Sequence, residues 1–120
     1  MHAHTTASDG SLSPTALVEL AVATGLTAIA VTDHDTIGGL TEAAVAARQM
    51  DIELVPGVEL SVEDDGGRFH LLGYLFYPED EKLSTALISI RESRAQRNVE
   101  MAEKMRELGQ IGRASCRERV

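Results

Sequence analysis

An uninterrupted apolar segment at residues 26–32 contains Ile and Val and lies between two segments with helical spacing. A short run of this kind is typical of a strand that is buried on both faces. Before it, Ser13 can cap a helix that has Pro14 at its first position and that stops at Gly25. After it, residues 40–50 form an Ala-rich helical pattern. This alternation predicts an α/β fold with a mostly parallel sheet.

Further strands are predicted on both sides of this unit. Residues 1–5 carry His at alternate positions, as the end of a strand would, and residues 52–55 form a short strand. Pro56 and Gly57 are expected to break that strand, which resumes in alternation at residues 58–62.

A hairpin and a long helix complete the pattern. Turn residues at 64–67 join a strand at 58–63 to one at 68–77. Residues 79–108 then read as one amphipathic helix. Most of its apolar stripe consists of Leu83, Leu87, Ile90, Ala95, Val99, Ala102, Met105 and Leu108. Three βα units are too few to close a barrel, so either the sheet is open or the rest of a barrel is absent.

Charge and hydropathy narrow the classes of partner. The net charge of -8 argues against a general electrostatic grip on nucleic acid or on an anionic membrane. It does not exclude a phosphate substrate, because bound cations can reverse the local field. No apolar run reaches the roughly 18 residues that span a bilayer, and no signal-peptide core is evident. We therefore expect a cytoplasmic protein without membrane association and without a stable protein partner.

The C-terminal end departs from what a complete protein would show. Residues 111–120 follow a helix that is expected to stop at Gly109, and one reverse translation of them matches a common short-read sequencing adapter. We expect this tail to be non-native read-through from library DNA, which leaves residues 1–110 as the domain. The alternative is a genuine disordered basic tail. The single Cys116 lies in this tail and cannot form an internal disulfide.

Polar side chains follow the predicted strands, at the edge where parallel α/β folds build their active sites. They include all four histidines of the chain and several carboxylates. The groups are His2, His4 and Asp9, then Asp33, His34 and Asp35, then Glu59, and finally His70. Imidazole and carboxylate groups are ligands for Mn, Zn and Fe ions.

Each of these groups, taken alone, has a simpler interpretation. Asp35 or Thr36 could cap the next helix, Glu59 could be a surface residue beside a turn, and His70 could be a structural histidine. Independent accidents would rarely place every histidine at one edge of a sheet. The clustered carboxylates would also be costly without cations to neutralise them. Together the groups predict a shared metal cluster.

Four ordered motifs resemble the PHP family, named for polymerase and histidinol phosphatase. They are His2-x-His4-Thr5-x-x-Ser8-Asp9-Gly10, Thr32-Asp33-His34-Asp35-Thr36, Gly57-Val58-Glu59 and His70-Leu71-Leu72-Gly73-Tyr74. The resemblance is strongest to stand-alone phosphoesterases of the nucleoside phosphatase and RNase AM type. It implies the N-terminal part of a distorted seven-stranded β/α, TIM-like barrel, with about three βα units, a hairpin and a long helix.

The resemblance also implies a trinuclear site that uses two or three divalent cations, Mn, Zn or Fe. By motif position its ligands are His2, His4, Asp9, His34, Glu59 and His70. The first two histidines would hold one ion, Glu59 would bridge it to a second, and His70 would complete part of that second site. Asp9 and His34 would hold the third ion.

The chemistry expected of such a site needs no Ser or Cys nucleophile, because neighbouring cations can clamp phosphate oxygens and activate a water. Asp33 and Asp35 are expected to orient the His ligands or to cap the following helix. Arg94 and Arg97 lie on the long helix, where either could bind a substrate phosphate bidentately, as the similar phosphatases suggest. The alternative is a solvated helix face with acidic neighbours.

The PHP family has further ligands from late strands, and nothing after His70 can supply them. We therefore expect the chain by itself to be inactive. The expected function of the full-length parent is hydrolysis of a small phosphate monoester or of an oligonucleotide end. The alternatives are a histidinol-phosphatase-like enzyme, a non-catalytic or proofreading module of a DNA polymerase, and a degenerate fragment without metal.

Overall fold

In the computed structural model, residues 2–109 are described, so the predicted tail at 111–120 lies outside the described residues. Six regular elements follow one another along the chain. They are α1 (Pro14–Ala23), β1 (Ala28–Val31), α2 (Leu40–Gln49), β2 (Glu53–Asp64), β3 (Gly67–Tyr74) and α3 (Glu81–Glu107). No helix within this part of the chain combines the length and the apolar character needed to cross a bilayer.

The sheet has the strand order β1-β2-β3. β1 pairs with β2 in parallel, and α2 makes the crossover between them, which is one βαβ unit. β2 and β3 pair antiparallel as a hairpin. The predicted α/β class is therefore confirmed, as part of a barrel-type fold with a mixed sheet.

The hydrophobic core lies where α1 and α2 pack on β1. Val18 of α1, Val31 of β1 and Ala43 of α2 are fully buried. The start of α1 is as predicted, because the Ser13 side chain accepts a hydrogen bond from the backbone N–H of Ala16 at 3.1 Å. This aliphatic core holds β1 in place, and the end of β1 leads into the polar motif that follows it.

The predicted break at Pro56 and Gly57 is wrong, because β2 runs through both residues without interruption. The first residues of β2 pair with β1 up to Val31 opposite Pro56, and the pairing with β3 begins at Gly57. Pro56 has no N–H, but its carbonyl accepts a bond from Leu75 at 2.9 Å. A Cβ at Gly57 would lie 2.6 Å from the Thr32 side chain, so glycine permits this close crossing.

Other element boundaries differ from the predictions. Residues 2–5 form no strand, although hydrogen bonds join Ala3 to Thr32 at the end of β1. β3 ends at Tyr74 rather than at residue 77, because Leu75 adopts a left-handed backbone with φ 59°. A Cβ at Gly73 would make an ordinary 3.5 Å contact with Val58, so no close approach requires glycine there.

The long helix α3 begins at an Asp80 cap, whose carboxylate accepts bonds from two backbone N–H groups. Of the apolar stripe predicted on α3, Leu87 is buried, whereas Val99 and Leu108 are exposed. Two ion pairs connect α3 to the sheet region, from Arg94 to Asp35 and from Arg97 to Glu63. These polar contacts, as well as burial of Leu87, position the helix.

Candidate metal centre

The register between β1 and β2 continues beyond the end of β1 and places His34 beside Glu59. Val31 faces Pro56 in the ladder, and three residues further along both strands His34 and Glu59 form an isolated parallel bridge. The backbone of Glu59 donates to the carbonyl of Asp33 at 3.1 Å and accepts from the N–H of Asp35 at 2.9 Å. The motif after β1 is thus fixed against the middle of β2.

The N-terminal segment lies beside the same end of β1. The Thr32 N–H donates to the Ala3 carbonyl at 2.8 Å, and the Ala3 N–H donates to the Thr32 hydroxyl at 3.1 Å. His2 and His4 flank Ala3, so this anchoring brings both imidazoles to the end of β1. Their ring centroids are 4.8 Å apart.

Glu59 lies at the centre of the cluster, with 4% of its surface exposed. Its Oε2 atom is 2.6 Å from His2 Nε2, 3.1 Å from His4 Nε2 and 3.7 Å from His34 Nε2. Its Oε1 atom is 2.5 Å from His70 Nδ1. One carboxylate therefore contacts all four histidines of the chain.

Asp9 is the second carboxylate of the cluster. Its Oδ1 atom is 3.2 Å from His4 Nδ1, and its Oδ2 atom is 3.6 Å from His34 Nε2. Within residues 2–109 three overlapping sets of ligand atoms can be drawn, each with its atoms within 4.8 Å of one another. They are His2, His4 and Glu59; His4, Asp9 and His34; and His34, Glu59 and His70.

The two contacts of Asp9 have the spacing of ligand atoms on one divalent cation. Two ligand atoms on one tetrahedral ion at about 2.1 Å lie about 3.4 Å apart, which is close to the two contacts of Asp9. His4 Nδ1 is buried and has no hydrogen-bond partner among the described residues, although it faces Asp9. His2 Nε2 and His4 Nε2 also face each other at 2.8 Å. A cation would satisfy these converging lone pairs, so the residues fit a metal cluster.

The electrostatics of Glu59 also suit a ligand. Burial raises the pKa of Glu59, but hydrogen bonds with His2 and His70 and the charge of His34 lower it more. The net result is a pKa below the ordinary value of 4.5. The carboxylate is therefore ionised at neutral pH, which is the form that binds cations.

Comparison with known protein families identifies the family to which this chain belongs. The PHP domain family matches residues 1–110. The chain belongs to the PHP family. The family predicted from the four motifs is thereby confirmed, and the six clustered side chains belong to a PHP domain.

Two curated relatives of this PHP domain cleave phosphate esters according to their names. A 5′-3′ exoribonuclease from Haemophilus influenzae is 43% identical over 109 residues, which cover 91% of this chain and 40% of that protein. A 3′,5′-nucleoside bisphosphate phosphatase from Chromobacterium violaceum is 38% identical over 112 residues, which cover 93% of this chain and 39% of that protein. The chain thus spans about two fifths of the length of these relatives.

A solved structure supports the same assignment. A protein from Bifidobacterium adolescentis, described as a metal-dependent phosphoesterase, superposes with a TM-score of 0.78 at 31% identity. The match covers 95% of this chain and 43% of that chain. The described residues therefore have the fold of the corresponding part of that structure.

Asp33 and Asp35 hold neighbouring segments of the PHP site in place. Asp33 accepts bonds at 2.7 Å from the N–H and the hydroxyl of Thr5 and from the hydroxyl of Ser8. Asp35 accepts from the Ser61 N–H at 2.8 Å. The alternative prediction that these residues cap α2 is wrong, since the N-cap residue of α2 is Gly39 and no side chain caps the helix. Asp33 is instead satisfied by Thr5 and Ser8 of the first motif, and Asp35 by the Ser61 N–H of β2 and by Arg94 of α3.

The two arginines predicted to bind phosphate occupy different places. Arg94 donates to Asp35 at 2.8 Å and lines cavities that contain His34 and His70, so it is close to the cluster. Arg97 pairs with Glu63, further from the cluster along β2. The structure therefore brings Arg94, rather than Arg97, next to the histidines.

Three supporting residues were not predicted from sequence reasoning. Thr5 and Ser8 tie the first motif to Asp33, and Thr32 ties the N-terminal segment to β1. All three lie within the quoted motifs, next to candidate ligands. Their positions beside candidate ligands could have indicated a supporting role, but a position in the sequence does not specify which partner each hydroxyl binds.

Proposed function

We propose that the full-length protein carrying this PHP domain hydrolyses phosphate esters of nucleotides or of oligonucleotide ends, using two or three Mn, Zn or Fe ions. The observation that carries the proposal is the contact of a single buried carboxylate, Glu59, with four imidazoles. The names of the two relatives and of the solved structure support phosphate esters as the substrate class. The predicted cytoplasmic location stays a prediction.

The proposed ligands divide among the ions as their contacts suggest. His2 and His4 would hold one ion, His70 would serve a second, and Glu59 would serve both through its two oxygens. Asp9 and His34 would hold the third. When bound, such ions supply Lewis acidity toward phosphate oxygens and an acidified water.

The other residues act on the substrate and on the ligands. Arg94 would donate to a phosphate oxygen while its contact with Asp35 keeps the guanidinium oriented. Asp33 holds the backbone and hydroxyl of Thr5, next to His4, and so fixes the first motif. This division explains why two acidic residues of the second motif are buried without contacting the clustered imidazoles.

Metal analysis tests the proposal on the full-length protein. We expect at least two ions per chain by ICP-MS after growth with manganese, and Glu59→Gln should lose at least one of them. Turnover of adenosine 3′,5′-bisphosphate or of a 5′-phosphorylated RNA should fall about 100-fold or more. Glu53→Gln is the matched control, because Glu53 is an exposed carboxylate at the start of the same strand. Fewer than one ion per wild-type chain would contradict the proposal.

A second variant separates loss of chemistry from loss of folding. His34→Ala should abolish hydrolysis while the circular dichroism spectrum stays that of the wild type, because His34 is a partly exposed loop residue. Near-normal turnover by this variant would reject its assignment as a ligand. Assays with histidinol phosphate run alongside would distinguish the histidinol-phosphatase alternative.

A further inference from the structure

The helix α3 lies across the metal centre and forms one wall of two cavities. The first cavity, of about 520 Å³, is lined by His70 of the cluster. The second cavity, of about 650 Å³, is lined by His34. Residues of α3 between 89 and 102 form the facing wall, and Arg94 lines both cavities. The space over the metal centre is therefore bounded by α3, with Arg94 between its two parts.

Few apolar contacts hold α3 in this position. Of its 27 residues, all of them described, Leu87 alone is buried. Apolar residues further along the helix are exposed, among them Val99 and Met105. Burial of apolar surface, which holds α1 and α2 on β1, therefore holds α3 only near its beginning.

Two ion pairs hold the middle of α3 instead. Arg94 donates to Asp35 of the segment after β1 at 2.8 Å, and Arg97 pairs with Glu63 near the end of β2. The two arginines are three residues apart, so they lie on one side of the helix. Glu63 is shared, since its Oε1 atom is also 3.4 Å from Arg68 Nε of β3. The acidic partners come from two segments, so the pairs fix the helix to both of them.

Solvent reaches both ion pairs. The Arg94 side chain is 32% exposed, and those of Arg97 and Glu63 are 37% and 48% exposed. Dissolved salt screens such pairs, and the net stabilisation from an exposed pair is small. Asp35 is buried, but it keeps the hydrogen bond from the Ser61 N–H if Arg94 leaves, and water can replace the guanidinium. Both pairs can therefore separate while the core stays folded.

The beginning of α3 provides a pivot. Phe76 packs partly against the core and Leu87 is buried, so the chain is held at these two points. Leu75 and Tyr77 are exposed, so the rest of the connection to β3 is held less firmly. The ion pairs lie about 10–15 Å beyond Leu87 along the helix, because each helical residue adds about 1.5 Å. A rotation of α3 near Leu87 therefore separates both pairs together.

We infer that the part of α3 beyond Leu87 is a hinged cover over the metal centre, which the two ion pairs hold closed. When this α3 cover opens, Arg94 leaves Asp35 and the two cavities join into one cleft across His34 and His70. A substrate that spans both cavities then enters, and closure restores the contact of Arg94 with Asp35. The inference concerns access to the site and does not depend on which phosphate ester is hydrolysed.

Distances between two spin labels test the α3 cover in the full-length protein. One label is placed at exposed Glu103 of α3 and the other at exposed Thr41 of α2. Raising NaCl from about 0.05 M to about 0.5 M should increase the population at a shifted distance about threefold or more, because salt screens both ion pairs. Labels at Thr41 and at Glu19 of α1 are the control for an intact core and should keep one distance. Identical Glu103 distributions at both salt concentrations would overturn the inference.

Charge-removing variants test whether the ion pairs are the restraint. Arg97→Gln and Glu63→Gln should each raise the open population about twofold to fivefold at low salt. The double variant should open no further than either single variant, because each removes the same pair. Arg106→Gln is the matched control, an exposed arginine of α3 that forms no ion pair within residues 2–109, and should change nothing. Additive effects of the two substitutions, or an equal effect of Arg106→Gln, would contradict the inference.

A thiol probe measures access to the space beneath the α3 cover. Ser61 lines the first cavity and its hydroxyl is buried. In a full-length background without the native cysteines, Ser61→Cys should react with a neutral maleimide about threefold faster or more at the higher salt concentration. Tyr77→Cys, at a position that is 82% exposed, should react at one rate throughout. Salt-independent labelling of Ser61→Cys would overturn the inference, whereas salt-dependent labelling of a protein that hydrolyses no ester would reject only the proposed function.

Discussion

Replacement of Asp33 tests how the structure holds its first motif in place. Asp33 is 1% exposed and accepts three hydrogen bonds, two from Thr5 and one from Ser8. Thr5 is itself fully buried and directly follows His4, while Ser8 directly precedes Asp9. The Asp33 carboxylate therefore connects two candidate ligands to the end of β1.

The expected loss follows from the three contacts. In Asp33→Asn the amide oxygen can keep the bonds from the Thr5 N–H and from Ser8, but the amide NH2 cannot accept the bond that the Thr5 hydroxyl donates. One bond to a charged acceptor contributes about 1.5–3 kcal/mol, so we expect this loss of unfolding free energy. Asp33→Ala removes both bonds from buried Thr5, which gives about 3–6 kcal/mol. Ser8 is only partly buried and can bond to water instead.

Urea unfolding of the full-length protein measures both free energies, and ICP-MS measures the ions retained. The unfolding free energy of a domain is about 5–15 kcal/mol, so a loss of about 3–6 kcal/mol in Asp33→Ala can unfold it. The test therefore depends on Asp33→Asn. Asp33→Asn should lose the ion bound by His4, Asp9 and His34 more readily than the ion bound by Glu59 and His70. An unfolding free energy within about 0.5 kcal/mol of wild type, with full metal content, would refute this reasoning.

Two further predictions concern the scaffold. Asp35→Asn should lower the unfolding free energy by about 1.5–3 kcal/mol and speed amide hydrogen exchange in α3, because the ion pair to Arg94 is lost. The left-handed backbone at residue 35 suits Asn as well as Asp, so it adds no strain. Unchanged exchange would argue against this contact. Gly57→Ala should cost about 1–3 kcal/mol in thermal or urea unfolding, since its Cβ would be 2.8 Å from a backbone oxygen. Gly73→Ala, on the paired strand, should lower the unfolding free energy clearly less, because its Cβ would make only an ordinary 3.5 Å contact. Equal losses in the two variants would contradict the close approach of backbone at Gly57.

Local patterns predicted most of the elements for identifiable reasons. The apolar run ending at Val31 is a strand covered by α1 and α2, and the turn at 64–67 makes the hairpin. The continuation of β2 through Pro56 could not be predicted, because β2 pairs with β1 up to Pro56 and with β3 from Gly57 onward. Local propensity at Pro56 and Gly57 favours a break, and tertiary pairing overrides it.

The sequence by itself determined which side chains could bind metal, because imidazole and carboxylate chemistry is a property of residue type. It also determined the family, through the order and spacing of those motifs. Only the tertiary structure decided that Glu59 contacts four histidines, that Asp35 binds Arg94, and that Arg97 pairs with Glu63. These contacts depend on the register of β2 against both neighbours and on the position of α3, which join residues far apart along the chain.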